Sequence, residues 1–128
     1  METLLDQISS HLQFLGYDVA RDGEVVKAKH PQKLNILLKP LAGGVLFASI
    51  FRCSPLAKRD RLGYLNLINS LNNGAAVVRF YADKESNFFV EAWHPDNYDR
   101  AGFGAFMELW DRDCAQLLRS DEASRYLS

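Results

Sequence analysis

Cysteine, histidine, charge imbalance and long apolar runs are all scarce in this chain, and each scarcity closes off a class of function. Two cysteines, Cys53 and Cys114, in 128 residues cannot make the disulfide framework that staples small secreted domains. One sits in a strand-like run and the other in a helical pattern, so both read as small buried hydrophobes. His11, His30 and His94 have no cysteine or carboxylate at metal-ligand spacing, which leaves no zinc site; His30-Pro31 and His94-Pro95 read as strand ends. The balance of 15 basic and 16 acidic residues gives a net charge of −1, with no overall attraction for a polyanion. The one basic cluster, Lys58-Arg59-Asp60-Arg61, is interrupted by an acid and reads as a solvated helix face. No segment approaches the roughly 20 apolar residues of a membrane span. Met1 to Gln7 carry Glu2 and Asp6 where a signal peptide would be basic. The expectation is a cytoplasmic protein that engages neither nucleic acid nor membrane and holds no metal or cofactor.

Catalytic constellations are missing as well. Cys53 with His94 would need an electropositive, partly exposed setting to act as nucleophile and base, and nothing in the sequence supplies one. Asp96 and Asp99 are accounted for as helix-start residues, and Asp111 and Asp113 as solvated helix positions. There is no phosphate-binding G-x-x-x-x-G-K-[ST] loop, and Gly102-Phe103-Gly104 lacks the strand-to-turn context of a dinucleotide site. The chain is expected not to be an enzyme.

What is present is apolar patterning. A hydrophobic content of 48% supports a real core, and the length suits one domain over residues 1–128. Thr3 is placed to cap a helix carrying Leu4, Leu5, Ile8, Leu12 and Leu15, which Gly16 stops. Tyr17 to Arg21 and Glu24 to Lys29 flank Asp22-Gly23, a hairpin signal. Leu34 to Lys39 resumes a strand, Gly43-Gly44 turns the chain, and Val45 to Arg52 reads as a central strand covered on both faces. Pro55 opens a middle helix with Ala57, Tyr64, Leu67, Ile68 and Leu71 on one face. Asn72-Asn73-Gly74 offers the left-handed residues that close it. Ala75 to Tyr81 and Asn87 to His94 follow as a hairpin around Asp83-Lys84-Glu85-Ser86. Asp96 caps a final helix whose stripe is Phe103, Phe106, Met107, Trp110, Cys114, Leu117 and Leu118. Ser120-Asp121 ends it, and Glu122 to Leu127 forms a further short turn. The order α-β-β-β(-β)-α-β-β-α, rich in hairpins, predicts an α+β fold with a mostly antiparallel sheet and flanking helices.

With these elements placed, the chain resembles the YbjN family and the wider type III secretion chaperone-like fold over nearly its whole length. The resemblance rests on Leu15-Gly16-Tyr17-Asp18-Val19 leading into Asp22-Gly23, on the helix ending Leu67-Ile68-Asn69-Ser70-Leu71-Asn72, on the hairpin Val77 to Trp93 and on the amphipathic last helix. The Asn69 and Asn72 pair is similar to the N-x-x-N helix ending of that family. The resemblance implies a small cytoplasmic homodimer that presents a surface to a client or regulatory protein and performs no chemistry. The near-neutral charge departs from the commonly acidic secretion chaperones.

Two surfaces support a binding module independently. Leu62 and Leu65 flank the buried stripe of the middle helix and share that flank with Asn69. Phe89 and Trp93 alternate with Phe88, Val90 and Ala92, so both sheet faces carry large apolar groups, and one layer of helices covers only one face. Large contiguous apolar patches are rare on monomers. The expectation is self-association or client contact through Leu62, Leu65, Asn69, Phe89 and Trp93, with Lys58, Arg59 and Arg61 as a polar rim. The competing arrangement places the first helix over the second face and leaves a monomer. A second function class is a small-molecule-binding or catalytic α+β domain whose sheet wraps an apolar pocket lined by Tyr17, Tyr64, Tyr81, Trp93 and His94.

Overall fold

The computed structural model describes residues 3–128. Among these residues, six strands form one antiparallel sheet in the order β1-β2-β3-β4-β6-β5. The strands are β1 (Asp18–Asp22), β2 (Val25–Lys29), β3 (Ile36–Leu41), β4 (Gly44–Phe51), β5 (Arg79–Ala82) and β6 (Phe88–His94). The helices are α1 (Leu4–Phe14), α2 (Pro55–Arg59), α3 (Arg61–Gly74), α4 (Arg100–Leu118) and α5 (Asp121–Tyr126). The chain gathers into two compact units. The first holds the segment up to Ser49 with Ala92–Glu108, and the second holds Ile50–Glu91 with Leu109–Ser128.

In the first unit α1 begins at the expected cap. The Thr3 hydroxyl accepts from the Asp6 N–H while the Asp6 carboxylate accepts from the Thr3 N–H, both at 3.1 Å, a reciprocal capping box. Leu5, Ile8 and Leu12 are buried against a core of Val26, Ile36, Leu38, Phe47 and Phe103. His11 lies 4.9 Å from Phe103 and Phe103 lies 5.9 Å from Phe47. The first helix therefore joins α4 on the Phe47 side of the sheet and does not cover the opposite face.

Both tight turns of this unit sit one residue away from where the dipeptides placed them. Asp22 pairs with Val25, so the loop is Gly23-Glu24, with Gly23 at φ +63° in the first central position that a type II′ turn reserves for glycine. Leu41 pairs with Gly44, so the second loop is Ala42-Gly43, at φ +51° and +83°. Gly44 belongs to β4, where a Cβ would collide with the His94 carbonyl oxygen and stand 2.7 Å from the Trp93 ring. Its bareness admits the β6 backbone and the indole rather than turning the chain. The Trp93 Nε1–H donates to the Leu41 carbonyl at 2.7 Å.

In the second unit the middle helix is broken. Asp60 leaves helical geometry at φ −120°, ψ 67°, its carboxylate accepts from the Gly63 N–H, and the Tyr126 hydroxyl donates to it at 2.8 Å. A side chain with two such partners holds the backbone out of the helix, and α3 restarts from it as from an N-cap. Tyr64, Leu67, Ile68 and Leu71 are buried as the periodicity requires. Gly74 does not take the left-handed conformation expected of it. Instead Asn72 binds both polar groups of the Phe80 backbone at 2.8 Å, so the helix end is tied to β5.

Residues 75–78, expected to extend that strand, are held by a side chain. Asp113, expected to be solvated, is fully buried, and its carboxylate accepts the N–H groups of Ala76, Val77 and Val78 at 2.8–3.0 Å. Asp113 follows Trp110 by three positions and falls inside the apolar stripe of α4, which was the available signal. The cap of α4 is Asp99, which accepts from the Gly102 N–H at 2.7 Å, rather than Asp96. At the far end the Ser120 hydroxyl caps α5.

Candidate protein-binding surfaces

Strand alternation divides the residues of each unit into two faces. In the first unit the register Val26–Leu38 and Leu38–Phe47 aligns the core residues toward the helices. The other register set, Lys27–Leu37, Leu37–Ala48, Lys39–Leu46 and Leu41–Gly44, faces away from them. Here Leu37, Leu41 and Trp93 are exposed, Trp93 by 46%. The same face carries Lys27, Lys29 and Lys39, all exposed, with Asp18 opposite Lys29 on the outer strand. Leu46 and Ala48 on this face are buried, with Lys39 and Leu37 as their register partners on β3. β4 was expected to be covered on both faces, and Val45 to Ser49 are buried on both.

In the second unit, β6 puts Phe88 and Val90 inward and Phe89 and Glu91 outward. Outside, Tyr81 stacks flat on Phe89 with ring centroids 5.0 Å apart. The Glu91 carboxylate accepts from the Arg79 guanidinium at 2.6 and 3.0 Å and from the Tyr81 hydroxyl at 2.9 Å. Burial, then this bond to Glu91, pushes the Tyr81 phenol above its ordinary pKa. A satisfied carboxylate fixes both side chains, so this face is an ordered aromatic platform.

The third surface is the outer flank of α3. Leu62, Leu65 and Asn69 lie three and four positions apart and share that flank, exposed, with Leu62 at 72% and Leu65 at 44%. Inward, Tyr64 lies 6.5 Å from Phe88 and stacks on Tyr126 at 5.5 Å. Since Phe88 and Phe89 point to opposite sides of the sheet, the Leu62-Leu65-Asn69 flank and Phe89 form separate surfaces. Trp93 shares the outward face of β6 with Phe89. Lys58, Arg59 and Arg61 are exposed on α2 and the start of α3. Leu37, Leu41 and Ile50 were not singled out by sequence reasoning. Their alternation with Ile36, Leu38 and Ser49 was the signal.

The residues of the apolar-pocket alternative do not converge. Trp93 and His94 occupy opposite faces of β6, Tyr64 donates to the Ser86 carbonyl in the core, and Tyr81 lies on the outward face with Phe89. Burial pushes the Tyr64 phenol up to about 12 and the Cys114 thiol up to about 12, the latter aided by Asp111 and Asp113. Cys53 lies 3.8 Å from the Glu85 carbonyl, and His94 Nδ1 is 2.8 Å from the Pro95 carbonyl. Among the described residues no three His, Cys, Asp or Glu side chains cluster as a metal site. No described helix is long and apolar enough to cross a membrane.

The fold recurs in solved structures. YbjN from E. coli superimposes with a TM-score of 0.76 at 14% identity, covering 97% of this chain and 95% of that one. The fold is that of YbjN and the type III secretion chaperones. A chain of the heterodimeric ExoU–SpcU complex from the type III secretion system of Pseudomonas aeruginosa matches with a TM-score of 0.62 at 16% identity. It covers 85% of this chain and 93% of that one. An uncharacterized protein from Methanothermobacter thermautotrophicus gives 0.61 at 15%, covering 88% and 92%. No family model and no curated protein matches the chain. What the YbjN-like fold shares at this identity is the path of the backbone, and the exposed side chains are this chain's own.

Proposed function

We propose that this protein is a non-enzymatic protein-binding module, chaperone-like or a regulatory adaptor, that pairs with a second copy and holds a segment of a client protein. The observation that carries the reading is the uncovered sheet face, where Leu37, Leu41 and Trp93 stand exposed although the helices lie on the other side. Apolar groups on an ordered sheet gain from being covered at about 25 cal/mol per Å². The lysines beside them favour an acidic, apolar segment over a second copy of the same lysine-bearing face. The α3 flank of Leu62, Leu65 and Asn69 is then left for self-pairing, a self-complementary stripe of the kind a two-fold dimer uses. Support also comes from the ExoU–SpcU likeness, since that structure is a heterodimeric complex. The site of action is taken as the cytoplasm.

Tryptophan fluorescence tests this directly. Trp110 is buried and Trp93 is exposed, so a partner seated on the sheet changes Trp93 alone. A peptide alternating Asp or Glu with Leu or Phe is expected to shift the emission to the blue. The shift should vanish in Trp93→Lys with the circular dichroism unchanged. An unaltered spectrum at about millimolar peptide, where only the weakest binding would escape, rules out the sheet face as the client surface.

A further inference from the structure

The first unit contains a cavity of about 200 Å³ lined by Gln7, Ser10, His11, Phe14, Tyr98 and Arg100. No acid lines it. Among the described residues Arg100 makes no ion pair, and its guanidinium lies 4.9 Å from the Phe14 ring centroid. That contact parks the cation at the cavity wall and leaves its fork of N–H donors unspent. Phe14 is 72% exposed, a flat apolar wall that meets the His11 ring edge-on with centroids 6.3 Å apart. His11 is nearly buried, set edge-on against Tyr98 and Phe103. Its Nδ1 is 2.8 Å from the Tyr98 hydroxyl, so Nε2 is the ring nitrogen left for a ligand.

We infer that this cavity binds a small carboxylate, with the Arg100 guanidinium as its counter-ion and the His11 ring as its second polar contact. Size narrows the ligand, because drug-sized molecules occupy roughly 300–1,000 Å³. Charge narrows it further. A single arginine suits one planar carboxylate, whose two oxygens match the guanidinium fork, better than a dianion. The flat Phe14 wall favours a ligand with a planar apolar part. Gln7 and Ser10 supply uncharged hydrogen-bonding groups at the rim.

An anion here also couples to His11. The ring is faced by Gln7, Ser10 and Phe14 from α1, by Tyr98 from the preceding loop, and by Arg100 and Phe103 from α4. Asp99 and Glu108 line the adjoining hollow. Burial and then the Arg100 charge hold the imidazole below its ordinary pKa of 6.5. A bound carboxylate offsets the arginine and favours the imidazolium, so affinity should rise as pH falls through the histidine range.

The test is an NMR titration of the His11 ring with benzoate, with inorganic phosphate in a parallel sample. Benzoate is expected to give a saturable shift with a Kd of about 1 mM or tighter and to move the His11 titration upward. Arg100→Gln should weaken binding about tenfold or more, and Arg100→Lys should retain part of it. Arg100 is exposed, so both variants should keep the wild-type spectrum elsewhere. The inference is overturned by a His11 signal indifferent to about 10 mM benzoate, by equal affinity in Arg100→Gln, or by phosphate binding where benzoate does not.

Discussion

Asp113 shows how one residue can set the course of a whole connection. Its carboxylate takes three successive backbone N–H groups from Ala76, Val77 and Val78, and Arg112 adds an ion pair at 3.0 Å. No ladder partner is available to those amides, and a buried N–H left unpaired costs about 1–3 kcal/mol. Asp113→Asn replaces one acceptor oxygen with a donor that would face the same amides. A loss of about 3 kcal/mol in urea unfolding is expected, at the upper end for hydrogen bonds to a charged group; Asp96→Asn, at an exposed position, should change little. His11 makes a second prediction at this scale. Its folded pKa is depressed below 6.5 by burial and by Arg100, so between the two pKa values the unfolded chain binds more protons. The stability this neutral ring contributes is present above about pH 6.5 and lost as pH falls toward the folded pKa. Unfolding free energy measured from about pH 7.5 down to about pH 5 should therefore fall less steeply in His11→Gln than in the parent.

At the scale of elements, the β3–β4 hairpin holds a residue in an unfavourable place. Ala42 sits at φ +51°, a conformation that costs an L-residue with a Cβ roughly 1–2 kcal/mol. Ala42→Gly removes that cost and adds about 0.5–1 kcal/mol of chain entropy in the unfolded state. A net gain of at most about 1.5 kcal/mol is expected, read as a higher urea midpoint with an unchanged slope; a lower midpoint would mean the Ala42 methyl makes a contact worth more than the strain. The same hairpin shows what the sequence discloses. Apolar periodicity located the buried faces, since burial dictates it: Tyr64, Leu67, Ile68 and Leu71 are all inside, and Phe88 and Val90 face the core while Phe89 and Trp93 do not. Turn dipeptides located the loops to within a residue and no closer, because Gly44 serves the close approach of the His94 backbone and the Trp93 ring while Ala42 serves the turn. The break at Asp60 and the clamp at Asp113 depend on partners far along the chain, Tyr126 and residues 76–78. Local pattern does not contain such partners. Of the proposed binding residues, Leu62, Leu65 and Trp93 are exposed, and their division between the α3 flank and the sheet was not legible. The Arg100 cavity carried no sequence signal, being built from residues 7 to 14 and 98 to 100.

At the scale of the molecule, the exposed α3 flank decides between a monomer and a pair. Leu62 and Leu65 are more exposed than the core side of the same helix requires, and Asn69 continues their line one turn further on. An isologous contact would lay this stripe against its own copy, burying four leucines and setting the two Asn69 amides where each can serve as donor and acceptor. Leu65→Asp is the discriminating change. On the free surface it should cost the fold no more than about 0.5 kcal/mol, because Leu65 makes no part of the buried face. In a pair it would place two carboxylates within a desolvated contact, which costs several kcal/mol and is enough to part a dimer of about micromolar affinity. Sedimentation equilibrium of the parent at about micromolar concentration should give twice the 14.5 kDa chain mass, and Leu65→Asp should give the single mass with an unchanged circular dichroism spectrum. If the variant keeps the doubled mass while Trp93→Lys loses it, the pairing surface is the open sheet, and the α3 flank becomes the face offered to a client.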